Sequence, residues 1–337
     1  MILVTGGAGY LGSHTAIALE NAGLNYLIFD NFSNSSTSVA SRVKAITGRK
    51  LKVVTGDVRN KESILRVFNE YPIESVIHFA GLKSVAESVR NPLAYYENNV
   101  VGTLNLLDAM EYNGVSRLVF SSSATVYGEP QALPIKESDP IGNVANPYGR
   151  SKYYVEQILA DIAEAKLSWD IACLRYFNPV GAHISGLIGE APMGIPNNLF
   201  PYICEVAAGK RQYLEVFGQD YETLDGTGVR DYLHVEDLAE AHVLAVQYLK
   251  KSSSSLTVNL GTGRGYSVLE VLAAFERATG KKIQHVVRGR RAGDVGACYA
   301  DTDKASQLLG WVAKRDLDRM CEDAWRWEST RHHHMHD

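Results

Sequence analysis

Tyr148 and Lys152 stand four residues apart in the run Asn146-Pro147-Tyr148-Gly149-Arg150-Ser151-Lys152. In a helix, that spacing puts the phenol and the ammonium on one face, a single turn apart. The run reads as a helix start: Asn146 suits the N-cap, Pro147 the first helical position, and Tyr148, Val155, Leu159 and Ile162 recur at helical spacing. A free tyrosine titrates near pH 10, so about one molecule in a thousand is phenolate at pH 7. A fixed cation nearby stabilises the phenolate and lowers that value, which suits the side chain to general acid–base work. Lowering it by three units corresponds to roughly 4 kcal/mol, more than one exposed ion pair supplies. A second positive charge is therefore expected in the same pocket. Taken alone, the spacing favours a chance pairing, so its meaning depends on what the rest of the chain brings to it.

The elements that must position the pair are legible as an alternation. Short β-branched or aliphatic runs at 2–5, 26–29, 51–55, 76–79, 118–121 and 171–175 are separated by helical patterns, among them 11–21, 61–69, 93–112 and 148–165. Near-continuous apolar strands between helices imply a parallel sheet covered on both faces. Right-handed crossovers then give a doubly wound α/β sheet of the Rossmann type, with ligands at the carboxyl ends of the strands. From Asn178 the character changes: Pro179, Gly181, Gly186, Gly189, Pro192, Gly194 and Pro196 mark a loop-rich stretch, and Ser252 to Ser255 a solvated loop. The expected division is a nucleotide-binding domain over 1–177, with 229–260 returning to it. A smaller C-terminal substrate-binding α/β domain takes 178–228 and 261–330, and 331–337 is a tail.

Composition narrows the function classes. The 337 residues are 45% hydrophobic and 21% charged, an ordinary globular balance. A net charge of -4 offers no global basic field, so neither nucleic acid nor an anionic membrane surface is an expected partner. The first residues read as a buried strand rather than a leader, and no apolar run is long enough to span a bilayer. Cys173, Cys204, Cys298 and Cys321 are far apart with no CxxC pair, which predicts no metal site, reduced thiols and a cytoplasmic protein. His332, His333, His334 and His336 fall in the tail and are read as a frayed end.

Gly6-Gly7-Ala8-Gly9-Tyr10-Leu11-Gly12 follows the first strand and opens a helix. Glycines at 6, 9 and 12 permit a tight turn and close approach to a pyrophosphate seated on the helix N-terminus. The second strand run leads into Asp30, eighteen positions past Gly12. A carboxylate there accepts from adenosine ribose hydroxyls and repels a 2′-phosphate, so NAD is expected rather than NADP. The oxidised nicotinamide is the second positive charge that Tyr148 requires. Two further strand ends, Gly56-Asp57-Val58 and Phe79-Ala80-Gly81 followed by Lys83, would line the adenine and the ribose–pyrophosphate on this topology.

The fifth strand runs into Ser121-Ser122-Ser123-Ala124-Thr125-Val126-Tyr127-Gly128, which places a hydroxyl, Ser123, at the same rim. The glycine loop, the Ser123 strand end and the Tyr148/Lys152 pair together resemble the extended short-chain dehydrogenase/reductases. The similarity continues through residues 76–83, 121–128, 174–182, 194–199 and 225–232, which resemble the UDP-glucose 4-epimerase family over nearly the whole chain. The resemblance implies reversible epimerisation at C4 of UDP-hexoses, through a transient 4-keto sugar and a tightly bound NAD. Tyr148 would be the acid–base residue, Lys152 would lower its pKa and hold the nicotinamide ribose, and Ser123 would bridge the 4-oxygen and help the proton move. The NAD contacts it implies are Gly6, Gly9, Tyr10, Leu11, Gly12, Asp30, Asn31, Asp57, Val58, Phe79, Ala80, Lys83, Asn98, Tyr148, Lys152 and Tyr176. On the UDP-sugar side it implies Asn178, Asn198 and Leu199, Phe217 against the uracil, Arg230 and Arg291 as a diphosphate clamp, and Asp294 on the uridine ribose, besides Ser123 and Tyr148.

One position departs from the bacterial pattern of that family. Cys298 stands where many bacterial members carry tyrosine, beside the sugar 2-substituent, and a small residue leaves room for an N-acetyl group. UDP-GlcNAc and UDP-GalNAc are therefore expected substrates as well as UDP-glucose and UDP-galactose. A 4,6-dehydratase is disfavoured because it needs an acid and a base right after Ser123, where this chain has Ala124 and Thr125. A net dehydrogenase and a non-catalytic sugar-nucleotide sensor are the remaining alternatives. The resemblance also implies a homodimer, paired through helices 93–112 and 148–165, for which the outer face of Leu104, Leu107 and Ile158 could serve.

Overall fold

The computed structural model describes residues 1–166, 168–191, 196, 198–291 and 293–331. The histidines of the tail, and Pro192, Gly194 and Asn197 of the loop-rich stretch, lie outside the described residues.

Strands β1 (Ile2–Thr5), β2 (Tyr26–Asp30), β3 (Val53–Thr55), β4 (Ser75–His78), β5 (Arg117–Ser123) and β6 (Asp170–Tyr176) join the strand Leu256–Leu260 in one parallel sheet. Its order is 256–260, β6, β5, β4, β1, β2, β3. The chain grows outward in both directions from the β1–β4 neighbours, so their carboxyl ends form the crevice where such sheets take ligands. Thr5, the last residue of β1, stands opposite both Phe29 and His78. β1, β4 and β6 are buried at every residue, the mark of strands covered on both faces. The doubly wound α/β fold expected from the alternation is the fold observed.

Helices Tyr10–Asn21 and Val235–Ser252 cover one face, with Ala16, Ile17, Leu238, Ala241 and Ala245 in the core beneath them. Helices Lys61–Glu70, Gly102–Tyr112 and Pro147–Ala165 cover the other through Ile64, Val67, Leu106, Met110, Val155 and Leu159. A separate apolar cluster forms where helices Leu199–Ala207, Val268–Thr279 and Leu317–Thr330 meet around Phe200, Val271, Phe275 and Met320. Short strand pairs edge it, including Leu214–Phe217 with His285–Arg288. A three-stranded ribbon joins Tyr266–Ser267, Val229–Arg230 and Ala297–Cys298.

One expected helix is interrupted. The pattern over 93–112 resolves into Pro92–Tyr96, a π-helical turn Glu97–Val101, and Gly102–Tyr112. Thr103 Oγ1 donates to the Asn99 carbonyl at 2.6 Å, competing with the backbone ladder at that turn. The displaced Asn99 side chain is buried and donates to Ser151 Oγ at 2.9 Å and to the Leu82 carbonyl at 3.0 Å. The turn therefore ties the loop after β4 to helix Pro147–Ala165. The residues expected on the outer face divide: Leu104 is exposed, Leu107 is core, and Ile158 packs half-buried against the core.

Candidate active site

Helix Pro147–Ala165 starts as its sequence predicts. Asn146 Oδ1 accepts from Gly149 N at 2.9 Å, and Pro147 needs no partner at the first position. Gly149 is required by packing, because a Cβ there would lie 2.4 Å from Val144 Cγ1 and 3.3 Å from Thr125 Oγ1. The helix thus sets Tyr148 against the end of β5, beside the Ser123 hydroxyl, which favours the ionised phenol. Ser123 in turn caps the short 3₁₀ turn Ala124–Tyr127. One turn along, Lys152 Nζ donates to the Ser121 carbonyl at 2.6 Å and lies 4.9 Å from the Phe120 ring centre. Ser123, Tyr148 and Lys152 are therefore brought together at one strand end.

The electrostatics differ from expectation in one respect. Burial pushes the Tyr148 phenol up from its ordinary value, and the donor Ser123 and then the charge on Lys83 offset this in part. Lys152, whose ammonium donates to the Ser121 carbonyl, is not among the groups that offset the burial. Burial also brings Lys152 down to about 8, against which Glu156 works to keep it charged. In the chain by itself, burial therefore favours the neutral phenol.

The glycine loop and Asp30 fit NAD. A Cβ on Gly6 would lie 2.6 Å from Ala80 N, and one on Gly12 would lie 2.5 Å from the Gly7 Cα, so both allow backbone to touch backbone. Gly9 meets only the Gly6 carbonyl and faces open space, the cradle a pyrophosphate needs. Helix Tyr10–Asn21 begins with no side-chain cap and no acidic residue in its first turn, leaving its N–H groups for an anion. Asp30 is buried; Oδ2 accepts from Ala8 N at 2.9 Å, and Oδ1 from Phe32 N at 2.8 Å and Ser35 Oγ at 2.9 Å. Oδ2 keeps a lone pair for a ribose hydroxyl, and the carboxylate also locks the glycine loop.

The other NAD-side residues follow this rim. Asn31 Nδ2 donates to Asp57 at 2.9 Å, and the Arg59 guanidinium holds the Asp57 carboxyl well below the usual range. Val58 is buried under Gly102. Phe79 stacks obliquely on His242 at 4.7 Å, while Ala80 packs on the sheet core and Leu11 on the opposite cluster. Asn98 lies on the π turn and donates to Asn99. Tyr10 Oη donates to the Gly181 carbonyl at 2.8 Å, joining the loop to the 178–181 segment. Tyr176 pairs with Ser123 across the strands, but its hydroxyl bonds His242 at 3.0 Å, so only its ring edge and backbone are left for a cofactor.

On the substrate side, the Arg291 guanidinium lies 3.8 Å from the Phe217 ring centre, over the face expected for uracil. Arg230 faces Asp294 at 3.8 Å and stands beside Cys298 in the ribbon. Asn178 is half-buried beside Tyr232, and Leu199 packs on the third cluster. Asn198 Nδ2 donates to Glu190 Oε1 at 2.8 Å, and the same oxygen accepts from Lys83 Nζ at 2.6 Å. Glu190 thus links Lys83, expected on the NAD side, to Asn198, expected on the substrate side, and it lies in a stretch whose sequence carried no periodic signal.

The chain matches the model of the NAD dependent epimerase/dehydratase family over residues 2–261. The chain belongs to that family. It is 55% identical over 329 residues to UDP-glucose 4-epimerase of Bacillus subtilis, covering 98% of this chain and 97% of the relative. Among solved structures, it is similar to UDP-glucose-4-epimerase from Stenotrophomonas maltophila with bound NAD and formylated UDP-arabinopyranose. The TM-score there is 0.97 at 49% identity, with 99% of each chain covered. The Bifidobacterium longum UDP-glucose 4-epimerase in complex with NAD+ and UDP gives a TM-score of 0.94 at 51% identity, with 98% of each chain covered. The cofactor of this epimerase/dehydratase family member is NAD.

Within the family member's site, Glu156 is a further residue the sequence reading missed. It is buried one turn beyond Lys152, the continuation of the Tyr148-to-Lys152 spacing. Arg175 Nη2 pairs with its Oε2 at 2.6 Å, and Ser122 hydrogen-bonds its Oε1. Such a buried pair costs desolvation, which the surrounding hydrogen bonds offset.

The Lys152 shift has a measurable consequence. Over pH 8 to 10.5 the unfolded chain keeps the lysine proton while the folded chain releases it, so wild-type stability rises with pH in that window. The gap amounts to roughly 3 kcal/mol. Lys152→Met should flatten that rise in urea denaturation measured across the window, and an unchanged slope would show that the buried lysine is not its source.

Proposed function

We propose that the chain is a UDP-glucose 4-epimerase, interconverting UDP-galactose and UDP-glucose. The observation that carries this reading is the Ser123, Tyr148 and Lys152 cluster at the β5 end, beside a nucleotide cradle and without an acid–base pair at Ala124 and Thr125. NAD, held by the Gly6 to Gly12 loop, Asp30, Lys83 and Lys152, supplies reversible redox chemistry at C4 of the sugar. Tyr148 Oη takes the proton of the 4-hydroxyl, and the Ser123 donor favours the phenolate that does so. The same proton returns to the 4-oxygen after the sugar has turned over, so the protein ends each cycle as it began. Phe217, Arg230, Arg291, Asn178, Asn198, Leu199 and Asp294 hold the UDP part, whose binding retains the molecule while the sugar rotates. Residues 178–228 and 261–330 form the substrate unit, and 229–260 returns to the NAD unit. Purified protein given UDP-galactose and no added cofactor should form UDP-glucose without net NADH. Absence of product from protein shown to contain NAD would overturn the reading.

UDP-GlcNAc and UDP-GalNAc are included among the substrates. Cys298 is half-buried and packs against the cluster of Ala124, Val126, Tyr127 and Phe177 next to Ser123. Its small side chain suits a bulkier sugar 2-substituent, and a tyrosine in its place would overfill that corner by about 1–3 kcal/mol. Cys298→Tyr should lower kcat/KM for UDP-GlcNAc at least about tenfold while sparing UDP-galactose. Equal losses on both sugars, or none, count against the assignment.

A cytoplasmic homodimer completes the proposal. No described helix is long and apolar enough to cross a membrane. Leu93, Val101, Leu104 and Tyr154 are exposed apolar residues within 93–112 and 148–165, the segments expected to pair. Sedimentation equilibrium at micromolar concentration should give twice the chain mass, and a monomer would exclude the pairing.

A further inference from the structure

The Ser123 hydroxyl has one proton to donate and two lone pairs to fill. Thr125 fills both: its backbone N lies 3.2 Å and its Oγ1 3.0 Å from Ser123 Oγ, each donating. The remaining function, the Ser123 proton, is left for the neighbouring Tyr148 phenol. The backbone arm comes with the N-cap geometry of the 3₁₀ turn and survives any side chain at 125. The hydroxyl arm belongs to Thr125 alone. Its side chain is held in place because helix Pro147–Ala165 begins directly against it, at Gly149.

We propose that Thr125 is a positioning residue for the acid–base pair. It holds Ser123 as a donor toward Tyr148, so that the phenol oxygen itself exchanges the proton with the sugar hydroxyl. The proposal rests on the epimerase reading given above. One proton moves from the 4-hydroxyl to Tyr148 Oη and back to the 4-oxygen, while Ser123 keeps its own proton throughout. With both lone pairs occupied, Ser123 cannot accept from the substrate unless it releases Thr125. Without the Thr125 hydroxyl, one lone pair is freed, and Ser123 can turn to accept from Tyr148 or the sugar instead of donating. The phenolate then loses a donor and binds its proton more tightly. The other charged and titratable groups facing Tyr148 are Lys83 from the loop after β4 and Tyr176 from β6, with Lys152 one turn along its own helix.

The test compares Thr125→Val and Thr125→Ser with wild-type holoenzyme, reading kcat and KM against pH. Phenolate absorbance is titrated in the same proteins, with Tyr148→Phe subtracted to isolate Tyr148. Thr125→Val should lower kcat about tenfold, the effect of one ordinary hydrogen bond of about 1.4 kcal/mol, with KM changed less than about twofold. The acidic limb of kcat and the Tyr148 titration should both move to higher pH, and Thr125→Ser should restore both. Wild-type pH limbs in Thr125→Val, or a serine variant no better than valine, overturn the proposal. If the valine variant does not fold, Thr125→Ala carries the same expectations. In a Ser123→Ala background, Thr125→Val should change neither readout further, and an additional loss there also overturns it. A titration shifted in Thr125→Val, with a wild type that does not epimerise, would sustain the positioning role and refute the epimerase reading instead.

Discussion

The site depends on how Lys152 is buried. An ammonium withdrawn from water must find hydrogen bonds or lose its proton. Here one bond to the Ser121 carbonyl, the Phe120 ring and the charge of Glu156 behind it meet that demand only in part, and the lysine settles near 8. The Ser121 contact pins helix Pro147–Ala165 to the end of β5. With that helix fixed, Tyr148 reaches Ser123 one turn earlier, and Asn99 fixes the same turn from the other side through Ser151. Catalytic geometry and buried charge are therefore one problem with one solution.

The phenol pays the converse cost. Burial favours its neutral form, and the donors the chain supplies do not reverse that. On the proposed reading, a cation in the neighbouring cradle would supply the charge that such a residue needs to act as a base. The proposed acid–base group would then be tuned by the same nucleotide that supplies the redox chemistry.

Contacts through Tyr10 and Glu190 tie the nucleotide layer to the rest of the chain at this rim. Tyr10 reaches the Gly181 carbonyl, and Glu190 receives both Lys83 and Asn198 on one oxygen. Glu190 itself is anchored by Trp327 Nε1, which donates to its carbonyl at 3.0 Å, while the absence of a side chain on Gly189 admits the indole ring. Glycine here serves packing between distant segments rather than backbone freedom.

The sequence by itself determined the parallel sheet, the glycine loop, Asp30 and the Tyr148 helix, because each is encoded by short-range periodicity, capping or spacing within one segment. Ser123 was legible only through its place at a strand end shared with the other two. Tertiary structure alone decided what crosses segments. The π turn at Glu97–Val101 follows from Asn99 reaching Ser151 and Leu82, and no local pattern announces it. Glu190 lay in a stretch without periodicity, and Glu156 gained meaning only once Arg175 and Ser122 were beside it. The direction of the Lys152 ammonium belongs to the same class. Helical spacing places it one turn from the phenol, but only the assembled strand end offers the Ser121 carbonyl to which it donates.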